Sequence, residues 1–175
     1  RVAVELGGKS PDIVFADADL DKAAQGAAMA CFMNTGQVCY AGTRLFVERP
    51  IYAEFVERVA AIGCGLRIGP SLDPESQLGP LASSQQLAKV TGYFDIARAD
   101  GARIVSGGER LGGALAEGFF VAPTVLADVD NTMRVAREEI FGPVLAAIPF
   151  DSEDEVIALA NDTAYGLGSG VWTQN

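Results

Sequence analysis

The chain has no histidine, and its three cysteines, Cys31, Cys39 and Cys64, form no CxxC pair. Without histidine, the usual zinc sites and the Cys-His pair of thiol proteases cannot be assembled from these residues. An odd cysteine count at irregular spacing fits reduced thiols in a cytosol-like compartment rather than a disulfide framework. Positive charge is scarce as well. Lysine and arginine number 13 against 23 acidic residues, for a net charge of −10, which argues against nucleic acid and anionic membrane surfaces as partners. No apolar run reaches the roughly 18 to 20 residues of a membrane span, because Lys22 and Gln25 interrupt the longest candidate. A Gly-Lys-Ser/Thr phosphate loop is missing, and "GLGSGV" (166–171) has Val171 where a dinucleotide fingerprint needs its third glycine.

What is present is 175 residues, 49% of them hydrophobic, enough for one well-buried core. Strand-like runs lie at 12–15, 43–48, 102–106, 123–129, 144–150 and 168–173, each bounded by turn residues. Between several of them lie helical patterns. Asp19 and Asp21 open a helix running to about Met33, and Pro50 starts a second whose stripe is Tyr52, Phe55, Val56 and Val59. Capping boxes at Ser83/Gln86 and Ser152/Glu155 begin two more. Segment 107–118 is glycine-rich and aperiodic, so an exposed loop or hairpin is expected there. The alternation implies an α/β fold, three layers deep with a mainly parallel sheet. The chain is expected to be a single domain.

Three stretches could carry chemistry. In "VAVELGGKSP" (2–11), period-2 alternation predicts a strand ending at Glu5, followed by a glycine turn able to approach a ligand. At such a strand end, Glu5 is either a general base of raised pKa or a solvated glutamate. In "NTGQVC" (34–39), Cys39 follows a helix whose negative pole would disfavour a thiolate. Activation would have to come from backbone N–H groups, from the amides of Asn34 and Gln37, or from a distant cation. Otherwise Cys39 is a small apolar residue, as Cys31 and Cys64 are expected to be. "EEIFGP" (138–143) offers a carboxylate for sugar hydroxyls and a ring for a flat ligand, or merely an acidic loop with one buried Phe.

Taken together, "ELGGKSP", "NTGQVC", "EEIFGPV" and the closing "NDTAYGLGSGVWT" resemble the aldehyde dehydrogenase superfamily in order and spacing, over essentially the whole chain. The resemblance implies the catalytic-domain fold of that family and oxidation of a small aldehyde to a carboxylic acid with NAD or NADP. It implies that Cys39 is the nucleophile and Glu5 the general base. Glu139 corresponds to the glutamate that accepts hydrogen bonds from the nicotinamide ribose, and Phe141 to the aromatic beside it. Gln86 and Lys89 resemble weaker contacts to the same region, with capping as a competing role for Gln86. No metal is implied.

Residues 1–175 would then be most of a catalytic domain, lacking the cofactor-binding domain and the C-terminal segment of the family. Little dehydrogenase turnover is expected from this polypeptide alone, and a homo-oligomeric, cytoplasmic parent enzyme is implied. The alternatives are a cofactor-independent thiol esterase or acyltransferase, and a non-catalytic fragment. Val38 and Tyr40 beside Cys39 imply an apolar to aromatic substrate lining.

Overall fold

A computed structural model describes all of residues 1–175. Its strands are β1 (Pro11–Val14), β2 (Arg44–Glu48), β3 (Arg103–Ser106), β4 (Thr124–Ala127), β5 (Val144–Phe150) and β6 (Gly170–Trp172). The helices are α1 (Leu20–Phe32), α2 (Tyr52–Cys64), α3 (Ser84–Asp100), α4 (Arg134–Arg137) and α5 (Glu153–Asn161). The strands form one sheet in the order β3-β4-β5-β2-β1-β6, parallel except for the edge pair β3/β4. No helix is long and apolar enough to cross a membrane.

Alternation along the strands sends side chains to two cores, one on each face of the sheet. Leu45, Val47, Val125, Leu145 and Ala147 pack with Ala27, Phe32, Phe55 and Val59 of α1 and α2. Phe46, Leu126, Ala146 and Ile148 point the other way, against Leu87, Val90 and Phe94 of α3, Val135 of α4 and Val156 of α5. The result is the three-layer α/β/α arrangement.

The helix punctuation works as its chemistry requires. Asp19 accepts the N–H of Lys22, Ser83 that of Gln86 and Ser152 that of Glu155, so each caps free donors of a first turn. Gly101 ends α3 with φ +88°, a left-handed conformation that costs a glycine little. Pro50 lies in a short 3-10 turn just ahead of α2 rather than inside it. The four-residue α4 went unanticipated, being too short for a periodic signal. Segment 107–118 is a loop, with a single bridge between Arg110 and Val121 and a short 3-10 turn.

One expected strand is absent. Residues 1–10 join no strand of the sheet, and Val2 and Val4 are 90% and 66% exposed. Alternation alone does not make a strand, because the backbone donors and acceptors need a neighbour and the apolar face needs a cover. The candidate site consequently lies at the other end of the sheet from where Glu5, read as a strand terminus, would place it. The glycine turn 7–9 precedes β1, Cys39 precedes β2, Glu139 precedes β5 and Gly168 precedes β6, so the site gathers at the amino ends of parallel strands.

Candidate active site

Gly8 is where the motifs meet. Its N–H donates to Oε1 of Glu139 over 3.0 Å, and a Cβ built on it would stand 2.2 Å from the carbonyl oxygen of Cys39. A Cβ on Gly7 would lie 2.8 Å from Oε2 of Glu139. Only bare backbone fits between the two partners, which is the use of the paired glycines. Glu5 is exposed and three residues upstream, so at most about 10 Å of extended chain separates it from this junction.

The thiol loop is held by unusual backbone. After α1, Asn34, Thr35 and Gly36 take left-handed conformations in succession, with φ of 53°, 57° and 67°. For β-branched Thr35 this is a strained state, maintained by donation of its hydroxyl to the carbonyl of Gly79 at 3.0 Å. Gly36 abuts the other loop so closely that a Cβ there would be 2.1 Å from the carbonyl oxygen of Gly142. The amides of Asn34 and Gln37 do not serve the thiol. Asn34 Nδ2 donates to the carbonyl of Gln37, and Gln37 Oε1 accepts the N–H of Ala82, so both brace the loop. The backbone N–H of Cys39, by contrast, donates to no group of the protein.

Cys39 is half-buried in the wall of a cavity of about 420 Å3, with Tyr40, Ala30, Gly42, Ser10 and Asp12 among its neighbours. Tyr40 lines this cavity, whereas Val38 does not reach its wall. Asp12 accepts the indole N–H of Trp172 on Oδ1, while its Oδ2 and the hydroxyl of Ser10 are buried without partners. Burial pushes the Asp12 carboxyl up to about 6, against the opposing effect of the indole bond.

Of the two adjacent glutamates, Glu138 is already engaged. Arg134 holds it through two bonds of 2.9 Å and Tyr93 donates to it at 2.6 Å, and these partners keep its carboxyl down at about 2. Glu139 keeps Oε2 unbonded beside the glycine turn, a carboxylate acceptor of the kind that suits ribose hydroxyls. Phe141 is half-buried at φ +59°.

Gln86 reaches this loop differently from the expectation. Its Nε2 donates to the carbonyls of Ile140 and Phe141 at 2.9 and 2.7 Å, so its amide fastens the loop and leaves only Oε1 for a ligand. Nor does its side chain complete a capping box, since only Ser83 caps. Lys89 lies one turn further along α3, exposed. Among the other thiols, Cys31 is buried and pushed up to about 12 by that burial, and Cys64 is exposed at the end of α2 rather than packed in a core.

Two buried cations went unnoticed in the sequence. Lys9 is 1% exposed with no partner for its ammonium, and burial pulls it down to about 7. Arg44, the first residue of β2, is fully buried. A charged residue inside the apolar run "TRLFVE" was the available signal.

Comparison with known proteins decides the lineage. The model of the aldehyde dehydrogenase family matches residues 1–175 in full. The chain belongs to the aldehyde dehydrogenase family. It is 53% identical over 177 residues to a betaine aldehyde dehydrogenase of Mesorhizobium japonicum, covering 100% of this chain and 36% of that one. An NAD+ complex of an aldehyde dehydrogenase from Bacillus cereus superposes with a TM-score of 0.94 at 44% identity, over 98% of this chain and 34% of that one. A betaine aldehyde dehydrogenase from Staphylococcus aureus, also with NAD+, gives 0.95 at 38% identity, over 98% and 34%. The chain therefore spans about a third of the length of these family members.

Proposed function

We propose that this chain carries the nucleophile and general base of an NAD(P)-dependent enzyme that oxidises an aldehyde to a carboxylic acid. The observation that carries the reading is the Gly8 junction, which packs the Cys39 carbonyl, the Glu139 carboxylate and the segment of Glu5 against one another. In this mechanism Cys39 loses its proton to solvent and the resulting thiolate adds to the aldehyde carbon in the cavity beside Tyr40. The unpaired N–H of Cys39 is the donor for the resulting oxyanion, a contribution worth about 3 kcal/mol where such donors have been removed elsewhere. A nicotinamide cofactor, which Glu139 and Phe141 would hold, would supply the hydride acceptor that takes the adduct on Cys39 to the thioester. Glu5 takes a proton from water as that water attacks the thioester carbon, releasing the acid and the thiol.

Glu139 and Phe141 are the residues to hold the ribose and ring of the cofactor, with Gln86 acting through the loop it fastens and Lys89 from the exposed face of α3. The three free thiols support a reducing, cytoplasmic setting, and the parent enzyme is proposed to be a homo-oligomer. The expected substrate is a small aldehyde, without nucleic acid or membrane as partner. The test is alkylation of Cys39 across pH in the wild type and in Glu5→Gln. Communication between the two groups predicts a displaced profile in the variant, and identical profiles would refute it.

A further inference from the structure

Arg44 is a buried charge with no carboxylate on it, and that is costly unless its hydrogen bonds are complete. They nearly are. Nε donates to the carbonyl of Lys9 at 2.9 Å, Nη1 to Oδ1 of Asn131 at 3.0 Å and to the carbonyl of Leu159 at 3.1 Å, and Nη2 to the carbonyl of Ala160 at 2.8 Å. The guanidinium also lies over the Phe46 ring, 5.2 Å from its centroid. Its backbone N–H donates to the carbonyl of Ser10 at 3.2 Å.

These partners are not a random set. Lys9 follows Gly8, the residue wedged between Cys39 and Glu139. Leu159 and Ala160 are last-turn carbonyls of α5, where a cation complements the helix dipole. Asn131 donates onward to Leu159 and to Asp162, and Asp162 is gripped by Arg137, two residues before Glu139. Arg44 itself begins the strand that follows the Cys39 loop. One planar fork therefore joins the Glu5 segment, the thiol strand and the route to Glu139.

We infer that Arg44 is a positioning residue for thioester hydrolysis, fixing the 5–9 segment through the Lys9 carbonyl so that Glu5 meets a thioester on Cys39. This rests on the proposed mechanism. Removing the fork frees the Lys9 carbonyl and loosens the 5–9 segment on that side of the glycine turn, which keeps its bond to Glu139, while Cys39 stays anchored by its own loop contacts to Gly79, Ala82 and Gly142. Deacylation should fail before acylation does. Lysine cannot substitute, because a single ammonium has three donors radiating from one point and cannot span four acceptors arranged around a plane.

The experiment acetylates Cys39 with p-nitrophenyl acetate in a Cys64→Ser background and follows the lifetime of acetyl-Cys39 by intact mass spectrometry after the reagent is removed. Transfer to the thiolate releases p-nitrophenolate, and attack by water then gives acetate and the free thiol. Arg44→Lys should lengthen the lifetime at least fivefold while changing the acetylation rate less than twofold. Glu5→Gln should lengthen it at least as much, and the double variant should be no slower than Glu5→Gln alone, because Arg44 acts through Glu5. A lifetime within twofold of wild type for Arg44→Lys, or additive effects in the double variant, overturns the inference. An unchanged lifetime in Glu5→Gln overturns the general-base reading, and the inference falls with it. Should Arg44→Lys not fold, Asn131→Ala, which removes one acceptor of the fork, goes through the same cycle under the same criteria.

Discussion

The N–H of Gly8 bonds the carboxylate of Glu139 across 131 residues of sequence, and the same glycine touches the carbonyl of Cys39. Gly8→Ala therefore cannot be accommodated without parting two of the three segments. The expected cost is about 1 to 3 kcal/mol in urea denaturation, typical of overpacking. Alkylation of Cys39 should also change rate by at least severalfold. Gly92→Ala in α3 is the control, since a Cβ there meets nothing within 4 Å and φ is not positive. It should stabilise the protein by about 0.5 to 1 kcal/mol.

Gln86 is expected to matter to the loop it bonds. Gln86→Met removes the donors to the Ile140 and Phe141 carbonyls and should destabilise by about 1 to 3 kcal/mol. Hydrogen exchange in 138–143 should accelerate more than in β5. Equal acceleration in both would mean that the side chain supports the sheet rather than the loop.

Lys9 sets a pH dependence. Its folded pKa near 7 lies below the ordinary 10.5, so between these values the unfolded chain binds more protons, and stability rises with pH across that window. The burial penalty is complete below about pH 7 and lifts by pH 10.5. Urea midpoints measured from pH 7 to 10 should show a slope approaching about 1.4 kcal/mol per pH unit from this group. Lys9→Met should flatten it. Asp12 works in a separate window with opposite sign: its folded value near 6 exceeds the ordinary 3.8, so its contribution falls as pH rises from about 4 to 6.

Thiol chemistry should rank the three cysteines. Exposed Cys64 and half-buried Cys39 are expected to react with iodoacetamide in the native state, and Cys31 only on unfolding, because it is enclosed and its pKa is raised to about 12. Peptide mapping after a short pulse checks this ranking, and native labelling of Cys31 would contradict the buried placement.

Much of the fold was legible because local signals and tertiary demands agree in it. The capping residues Asp19, Ser83 and Ser152, the stripe on α2 and the strand at 144–150 all lie where their chemistry requires. The segment 2–6 misled because a period-2 pattern states a preference that only a neighbouring strand can realise. At the site, the sequence does not reveal that the amides of Asn34, Gln37 and Gln86 bond backbone groups of the surrounding loops. An amide looks the same in sequence whether it faces a ligand or a carbonyl of its own fold, and here the backbone in reach took each of these amides. Arg44 and Lys9 are not legible because charge ordinarily marks surface; the Lys9 ammonium has no partner at all, and three of the four acceptors of Arg44 are main-chain carbonyls that no residue name reveals.

The pairing of Asp12 with Gly170, at opposite ends of the chain, gives the site a history as well as a shape. Contacts so distant in sequence close late in folding, because the loop entropy must be met before the strand pairing rewards it. During synthesis, Cys39 therefore leaves the ribosome long before β5, β6 and Glu139 exist to enclose it. For that interval it is an ordinary thiol, open to oxidation, and the environment proposed for it forms only when the second half of the chain arrives.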